Sequence, residues 1–394
     1  MKALRLKAGR EKSLRRRHPW IFSGAVARVE GDPQAGETVR VESADGKPLA
    51  LAAYSPHSQI RARTWTFDIS AEVNEVFLRS RIERAISWRE SPSVLPDSDA
   101  LRLVHGESDG LPGLVVDRYG NLLVAQFLAA GAERWREEIL DALEALTGAD
   151  AIFERSDAEV RKLEGLEPRA GFVRGSASPS CVVREHGLRF HVDIEAGQKT
   201  GFYLDQRANR QRVRALAAGR EVLDAFCYTG GFALAALAGG AKHVTAVESS
   251  AAALAVAKEN LRANSLDADA IRFEQADVFA YQRALRDQGR RFGLIALDPP
   301  KFAPTAAQAK NAARAYKDIN LLALKLLSPG GLLATFSCSG GVGAELFQSI
   351  VAGAAADAGV DAKILERFGA APDHPVALEF PEGEYLKGLL LMRA

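Results

Sequence analysis

Four acids and one cysteine stand where apolar runs of the sequence end. Asp224 lies in EVLDAFCYTGGF, Glu248 in HVTAVESS, Asp277 in IRFEQADV, Asp298 in LIALDPPKF and Cys338 in LLATFSCSGG. Short apolar runs bounded by Gly or Pro read as buried strands. In a doubly wound sheet, ligands bind beyond the carboxyl ends of the strands, near the point where strand order reverses. Phe226, Tyr228, Thr229, Gly230 and Gly231 follow the first of these runs, and glycine lets backbone approach a ligand closely. Glu248 comes twenty-four residues after Asp224, where a carboxylate can accept from both hydroxyls of a ribose.

A nicotinamide cofactor asks for G-x-G-x-x-G after the first strand, and here only Gly230-Gly231 are adjacent. An acid ahead of the loop suits a cationic ligand without phosphate. S-adenosylmethionine is one: an amino-acid end, a sulfonium, a ribose and an adenine. Each acid alone could simply cap the next helix. Four in register at strand ends form the stronger signal, and they point to S-adenosylmethionine.

These residues need a sheet to hold them. From residue 186 to 394, strand-like and helix-like segments alternate, which predicts an α/β, Rossmann-like domain. Residues 1–70 show short alternating runs broken by EGDPQAGE and ADGKP, the pattern of a small antiparallel β domain. Residues 71–185 read as a central α+β domain, opening with a helix whose apolar side is expected to carry Val73, Val76, Phe77, Ile82 and Ile86. RYGN, further on, predicts a hairpin.

With 47% hydrophobic and 26% charged residues, the 394-residue chain has the composition of a soluble globular protein. No apolar run is long enough to span a membrane. Three cysteines, without CxxC spacing, fit neither a disulfide framework nor a zinc site; no metal is expected, and a reducing cytoplasm is the expected compartment. The net charge of +1 hides a basic cluster near the N-terminus that includes Lys12, Arg15, Arg16 and Arg17. It runs directly into HPWIFSGAV and suggests a patch for a polyanion, with RNA as the expected partner. His18, Trp20 and Phe22 could stack bases or belong to the β-domain core.

FCYTGGF, AVESS, DPPKF and FSCSG, in this order, resemble the class I RNA methyltransferases that make 5-methylcytosine in large-subunit ribosomal RNA. GQKTGFYLDQRANR, HPWIFSGAV and DHPVALEFPEGEYLKGLLL resemble the same family, so the likeness covers nearly the whole chain. It implies an N-terminal PUA domain, a central α+β domain and a methyltransferase domain using S-adenosylmethionine. It also implies that GQKTGFYLDQR lies over the cofactor, with Gln198, Tyr203, Asp205 and Arg207 nearest; the bland alternative is a loop with Asp205 capping the helix that follows.

The resemblance gives Cys338 a chemical role. C5 of cytosine is a poor nucleophile towards a sulfonium methyl, and addition of a thiolate to C6 makes it a good one. Cys338, after the fifth strand of the alternation and expected beside the strand ending in DPPKF, is the candidate nucleophile. A buried structural thiol is the alternative. Cys227 is the competitor, and Cys181 is expected to be structural. Asp298 is a candidate to bond the base. Lys301, Asp373 and His374 are candidates for removing the C5 proton. Many RNA 5-methylcytosine enzymes carry a second cysteine beside the fourth-strand acid. Here that loop reads DPPK, a lack shared with 5-methyluridine enzymes, so uracil stays open as the base. Methylation of an amino nitrogen and a noncatalytic RNA-binding role are the other readings. No membrane partner is expected, and a homodimer is compatible with the sequence.

Overall fold

The computed structural model describes residues 2–94, 97–302 and 309–394. The chain forms two compact units: Met1–Val183 with Val192–Leu204 and Pro372–Gly383, and Arg184–His191 with Asp205–Ala371 and Glu384–Ala394.

The first unit contains two sheets. Strands β1 (Ala3–Leu6), β2 (Trp20–Phe22), β3 (Val26–Glu30), β4 (Thr38–Glu42), β5 (Pro48–Tyr54) and β6 (Ile60–Thr66) form one, in the order β2-β6-β5-β4-β1-β3. Alternation along β4 turns Val39 and Val41 into a core shared with Leu4, Ala50, Ala52 and Ala62. Strands β7 (Ala100–His105), β8 (Leu114–Tyr119), β9 (Leu122–Phe127), β10 (Ala151–Ser156) and β11 (Arg169–Gly175) form the other, in the order β11-β10-β9-β8-β7. RYGN makes the β8–β9 hairpin, with Tyr119 opposite Leu122 and Gly120 at positive φ. Trp65 and Ala53 of the first sheet pack into the core that Leu78, Ile82, Leu123, Ile139 and Leu140 form over the second. That shared core joins the stretches 1–70 and 71–183 into one compact unit.

The helix Glu75–Arg89 turns inward the side that its pattern suggests, with Val73 and Phe77 packed against the edge of the same core and Val76 as the exception. Leu78, Ile82, Ala85, Ile86 and Arg89 are buried, whereas Val76 is 74% exposed. Residues 78, 82, 85, 86 and 89 keep the i, i+3, i+4 spacing of one helical face, and Val76 lies off it.

Strands β12 (Ser180–Glu185) and β13 (Leu188–Asp193) make a hairpin, with His186 and Gly187 both at positive φ as a type I′ turn requires. The second unit is built on β14 (Glu221–Ala225), β15 (His243–Glu248), β16 (Ile271–Gln275), β17 (Phe292–Leu297), β18 (Leu327–Ser337), β19 (Ala362–Phe368) and β20 (Lys387–Arg393), in the order β16-β15-β14-β17-β18-β20-β19. β14 to β18 pair in parallel and β20 is antiparallel to both neighbours. The central strands are nearly continuous apolar runs because both faces are covered. Helices 207–216, 231–238 and 251–263 neighbour one another; helices 278–287, 309–326 and 344–358 form a second group. The strand order reverses between β14 and β17, so the ligand-binding crevice of this Rossmann-like sheet belongs at the ends of those two strands. Among the described residues, no helix is long and apolar enough to cross a membrane, and no group of three or more His, Cys, Asp or Glu converges on a metal-sized space.

Candidate active site

Parallel register brings the strand ends together. Ala225 lies opposite Val247 on one side and Leu297 on the other, and Leu297 lies opposite Thr335. Asp224, Glu248, Asp298 and Cys338 therefore emerge at one edge of the sheet, in the arrangement expected from the sequence. The edge is closed by backbone bonds across the strands: Cys227 N–H donates to the Val247 carbonyl at 3.0 Å and Asp298 N–H to Ala225 at 3.4 Å.

The loop after β14 is held in unusual geometry. Phe226 and Tyr228 both have positive φ, at 66° and 50°, and Gly230 follows at 83°. Non-glycine residues in this region cost about 1–3 kcal/mol each and persist where the surroundings fix them. Glu248 does part of the fixing: it accepts from Tyr228 N–H at 3.1 Å and from Ser250 N–H at 2.9 Å. Asn260 does the rest, donating to the Thr229 carbonyl at 3.0 Å.

Asp224 is fully buried and accepts from Ala233 N–H at 2.8 Å through Oδ2. Its Oδ1 and the Thr229 hydroxyl are buried with no hydrogen-bond partner among the described residues. Burial, and then the charges of Asp298 and Glu248, push the Asp224 carboxyl up to about 8, against the pull of Ala233 N–H. A buried acid with an unmet oxygen, beside two more acids, is a place for a cation. The sulfonium and amino groups of S-adenosylmethionine fit that chemistry, and Glu248 lies at the next strand end, where a ribose would reach it. Asp277 caps the helix Val278–Asp287, its Oδ1 accepting from Ala280 N–H at 2.8 Å.

Cys338 directly follows β18 and is partly exposed. Cys227 is buried, and burial together with Asp224 and Glu248 pushes its thiol well above the ordinary cysteine range. Cys181 is likewise pushed up, to about 11, mainly by burial. Of the three thiols, Cys338 alone stands at the strand-end edge with access to solvent.

Residues that motif reading did not single out surround Cys338. Lys387 lies opposite Ser337 in the β18–β20 pair, and its ammonium donates to the carbonyls of Ser339 at 2.8 Å and Val342 at 2.6 Å. Burial lowers its pKa, and Cys338 and Glu384 hold it up. Tyr316, fully buried, shares a 2.9 Å hydrogen bond with Ser339, and burial raises its hydroxyl, with Cys338 and Asp298 adding to the rise. A lysine inside the apolar run YLKGLLL was the one available sequence signal. Lys301 is exposed, just past the strand that ends at Leu297.

The expected cofactor lid is divided between the two units. Gln198 and Tyr203 belong to the first, where the Tyr203 hydroxyl donates to Gln198 and Lys199 lies 4.3 Å from the Tyr203 ring centre. Thr200 anchors that segment through Asp117 at 2.6 Å and Tyr119 at 2.8 Å. Asp205 and Arg207 belong to the second unit and are buried. Asp205 accepts from the Tyr385 hydroxyl at 2.8 Å, and Gln206 holds the N-cap position of the helix Arg207–Leu216. Asp373 and His374 lie in the first unit, in a buried network: Asp373 accepts from Arg102 N–H at 2.9 Å and contacts His374 Nδ1 at 3.1 Å.

Among the basic residues near the N-terminus, Lys12, Arg15, Arg16 and Arg17 are exposed. Trp20 is half-buried, donates to Glu107 at 2.7 Å and meets Phe380 edge-on at 4.8 Å, so packing holds its indole.

Comparison with known proteins agrees with this geometry. The family of S-adenosylmethionine-dependent methyltransferases matches residues 102–391, and the PUA-like domain matches residues 4–67. The ribosomal RNA large subunit methyltransferase I of Klebsiella pneumoniae subsp. pneumoniae is 51% identical over 384 residues, covering 97% of this chain and 96% of that protein. A protein of Streptococcus mutans assigned as a SAM-dependent methyltransferase superposes with a TM-score of 0.85 at 21% identity, over 100% of both chains. Another assigned methyltransferase, solved in complex with S-adenosylhomocysteine, gives 0.87 at 22%, again over 100% of both chains. At such identities these two structures speak for the fold alone. Sequence identity of one half across nearly the full length speaks for more: the chain belongs to the ribosomal RNA large subunit methyltransferase I family, S-adenosylmethionine-dependent enzymes that carry a PUA-like domain.

Proposed function

We propose that the protein methylates C5 of a cytosine in large-subunit (23S) ribosomal RNA, with Cys338 as covalent nucleophile. The relatives' name supports the RNA. The observation that carries the chemistry is the position of Cys338: a partly exposed thiol one residue past β18, beside the strand that leads into Asp298, with a buried ammonium alongside.

S-adenosylmethionine, when bound, supplies an electrophilic methyl group. The chain supplies everything else. Asp224, Thr229 and Glu248 hold the cationic and ribose groups, with Phe226, Tyr228, Gly230 and Asp277 shaping the strand-end loops around them. Gln198, Tyr203, Asp205 and Arg207 are assigned to the same cofactor. The Cys338 thiolate adds to C6 of the base, and the C5–C6 electron pair moves to C5, which takes the methyl group. A base then removes the C5 proton, the C5–C6 double bond re-forms, and the C6–S bond breaks to return the thiolate. Lys301 is the candidate for that proton, and Asp298 for a hydrogen bond to the cytosine edge. A thiol that acts this way must stay reduced, in keeping with a cytoplasmic enzyme.

The test is tritium release from unmethylated ribosomal RNA labelled at C5 of cytosine. Release that depends on S-adenosylmethionine and disappears in Cys338→Ala is expected. Methyl incorporation without release from cytosine would move the acceptor to uracil C5 or an amino nitrogen.

A further inference from the structure

The first unit has a cleft of about 670 Å³ between the end of β6, the helix Glu75–Arg89 and the segment 375–380. Its volume falls within the range of small-ligand sites, about 300–1,000 Å³. Arg17, Arg81 and Arg84 line it, together with Phe67 and Trp88. Arg81, Arg84 and Trp88 follow one another at i, i+3 and i+7, which puts them on one face of the helix.

The most deeply buried arginines of this unit are ion-paired. Arg63 pairs with Glu164, Arg89 with Asp109, Arg102 with Asp117, Arg136 with Glu154 and Arg161 with Glu133. Among the described residues, Arg17, Arg81 and Arg84 pair with no carboxylate. Arg81 is half-buried, and burial and the charge of Arg84 both press its guanidinium towards losing its proton. Arg17 rests 5.9 Å from the Phe67 ring centre and Arg81 4.9 Å from that of Phe77. Gly110 makes room for Arg81: a Cβ there would lie 2.3 Å from Arg81 Nη1.

The acids that line the cleft are mostly engaged elsewhere. Glu107 takes Trp20 and lies 3.4 Å from Arg63; Asp109 takes Arg89 and His105 N–H; Asp68 takes Ser70. Glu379 is exposed at the rim. Arg17, Arg81 and Arg84 thus form no ion pair with the acids of the lining, and Arg81 and Arg84 are close enough to repel, so their guanidinium groups are left to meet an anionic ligand. Phe67 and Trp88, the latter 40% exposed, add ring surface beside it.

We propose that this cleft binds a single-stranded segment of the RNA substrate, with Arg81 and Arg84 on successive phosphates, Arg17 at the rim and Trp88 under a base. The proposal rests on the reading of the protein as an RNA methyltransferase. Phosphate pairing by arginine and stacking on an aromatic ring are the usual means of holding a single strand.

The experiment measures binding of the full chain to an unmethylated large-subunit ribosomal RNA transcript across a salt series. Each phosphate contact to a single strand contributes about −0.7 to the log–log salt slope. Arg81→Gln with Arg84→Gln is expected to weaken binding at least tenfold at about 0.1 M salt and to flatten the slope by about 1.4. Arg81→Lys with Arg84→Lys is expected to keep most of that slope. S-adenosylmethionine binding by calorimetry, unchanged in both variants, confirms that they are folded. A 4-thiouridine transcript is expected to crosslink within residues 67–88. Wild-type affinity and slope in the Gln variant, or crosslinks only elsewhere, would overturn the cleft as an RNA site while leaving the enzyme reading intact. If the unaltered chain bound neither the transcript nor purified large subunits, the RNA reading would fall, and the cleft proposal with it.

Discussion

Lys387 and Ser339 are joined at the end of the catalytic sheet: the lysine ammonium donates to the Ser339 carbonyl at 2.8 Å, and to Val342 beyond it. The bond closes the loop that starts at Cys338. A buried ammonium beside a thiol favours the thiolate. Lys387→Met leaves two carbonyls without their donor, and hydrogen bonds to a charged group are worth about 1.5–3 kcal/mol each. The variant is expected to lose most methyl transfer. Its Cys338 should also alkylate more slowly with iodoacetamide at pH 7, with the rate profile displaced to higher pH. An unchanged alkylation profile would remove Lys387 from the electrostatics of the thiol.

Asp224 sets a pH dependence of stability. Its carboxyl is raised from 3.8 to about 8 in the folded chain, chiefly by burial. Between those values the folded state holds a proton that the unfolded state releases. The contribution is therefore fully present below about pH 4, is lost as pH rises, and levels off above about pH 8. Asp224→Asn keeps an acceptor for Ala233 N–H and removes the titration. Its melting temperature is expected to exceed that of the wild type increasingly from pH 5 to pH 8, while S-adenosylmethionine affinity falls at least tenfold. Parallel melting curves across that range would contradict the assignment of the shift to Asp224.

The strand-end acids were legible because each sits at a break in an apolar run, and parallel register then brings the breaks to one edge. Cys338 was legible for the same reason. Lys387 was not: it comes from the last strand, and only antiparallel pairing with β18 brings it opposite Ser337. Asp277 follows its strand like the other acids, and its Oδ1 also caps the helix after it. Pattern alone does not separate a cap from a ligand, since both follow a strand and precede a helix. On the helix 75–89 Val76 alone departs from the apolar pattern: it is apolar without being oriented inward. The Arg81–Arg84–Trp88 face is invisible in the sequence for a related reason: which arginines go without a carboxylate is decided by tertiary contact.

Cys227 and Cys338 separate by reactivity. Cys227 is 4% exposed and its thiol is pushed well up by burial; Cys338 is partly open to solvent. Iodoacetamide at neutral pH is expected to modify Cys338 well before Cys227, as read by peptide mass mapping, and to abolish methyl transfer in step. Cys227→Ala should retain turnover at a stability cost of about 1 kcal/mol for the small volume lost. Preferential labelling of Cys227 would reverse the assignment of the nucleophile.

Gly230 ties the cofactor loop to the helix that follows. Its φ is +83°, and an added Cβ would lie 2.8 Å from Leu234 Cδ1 and 3.3 Å from Ala257 Cβ. Alanine would therefore meet both a conformational penalty of about 1–2 kcal/mol and a clash. Relief requires the loop to move, and that loop holds the Thr229 hydroxyl and the strained Phe226 and Tyr228. Gly230→Ala is expected to weaken S-adenosylmethionine binding tenfold or more by calorimetry. Gly120 supplies the control: its φ is +60°, but nothing lies within 4 Å of its added Cβ, and it belongs to the hairpin of the other unit. Gly120→Ala should carry the conformational penalty alone and leave cofactor affinity as it was. Equal affinity in the two variants would mean that the backbone of the loop does not shape the cofactor site.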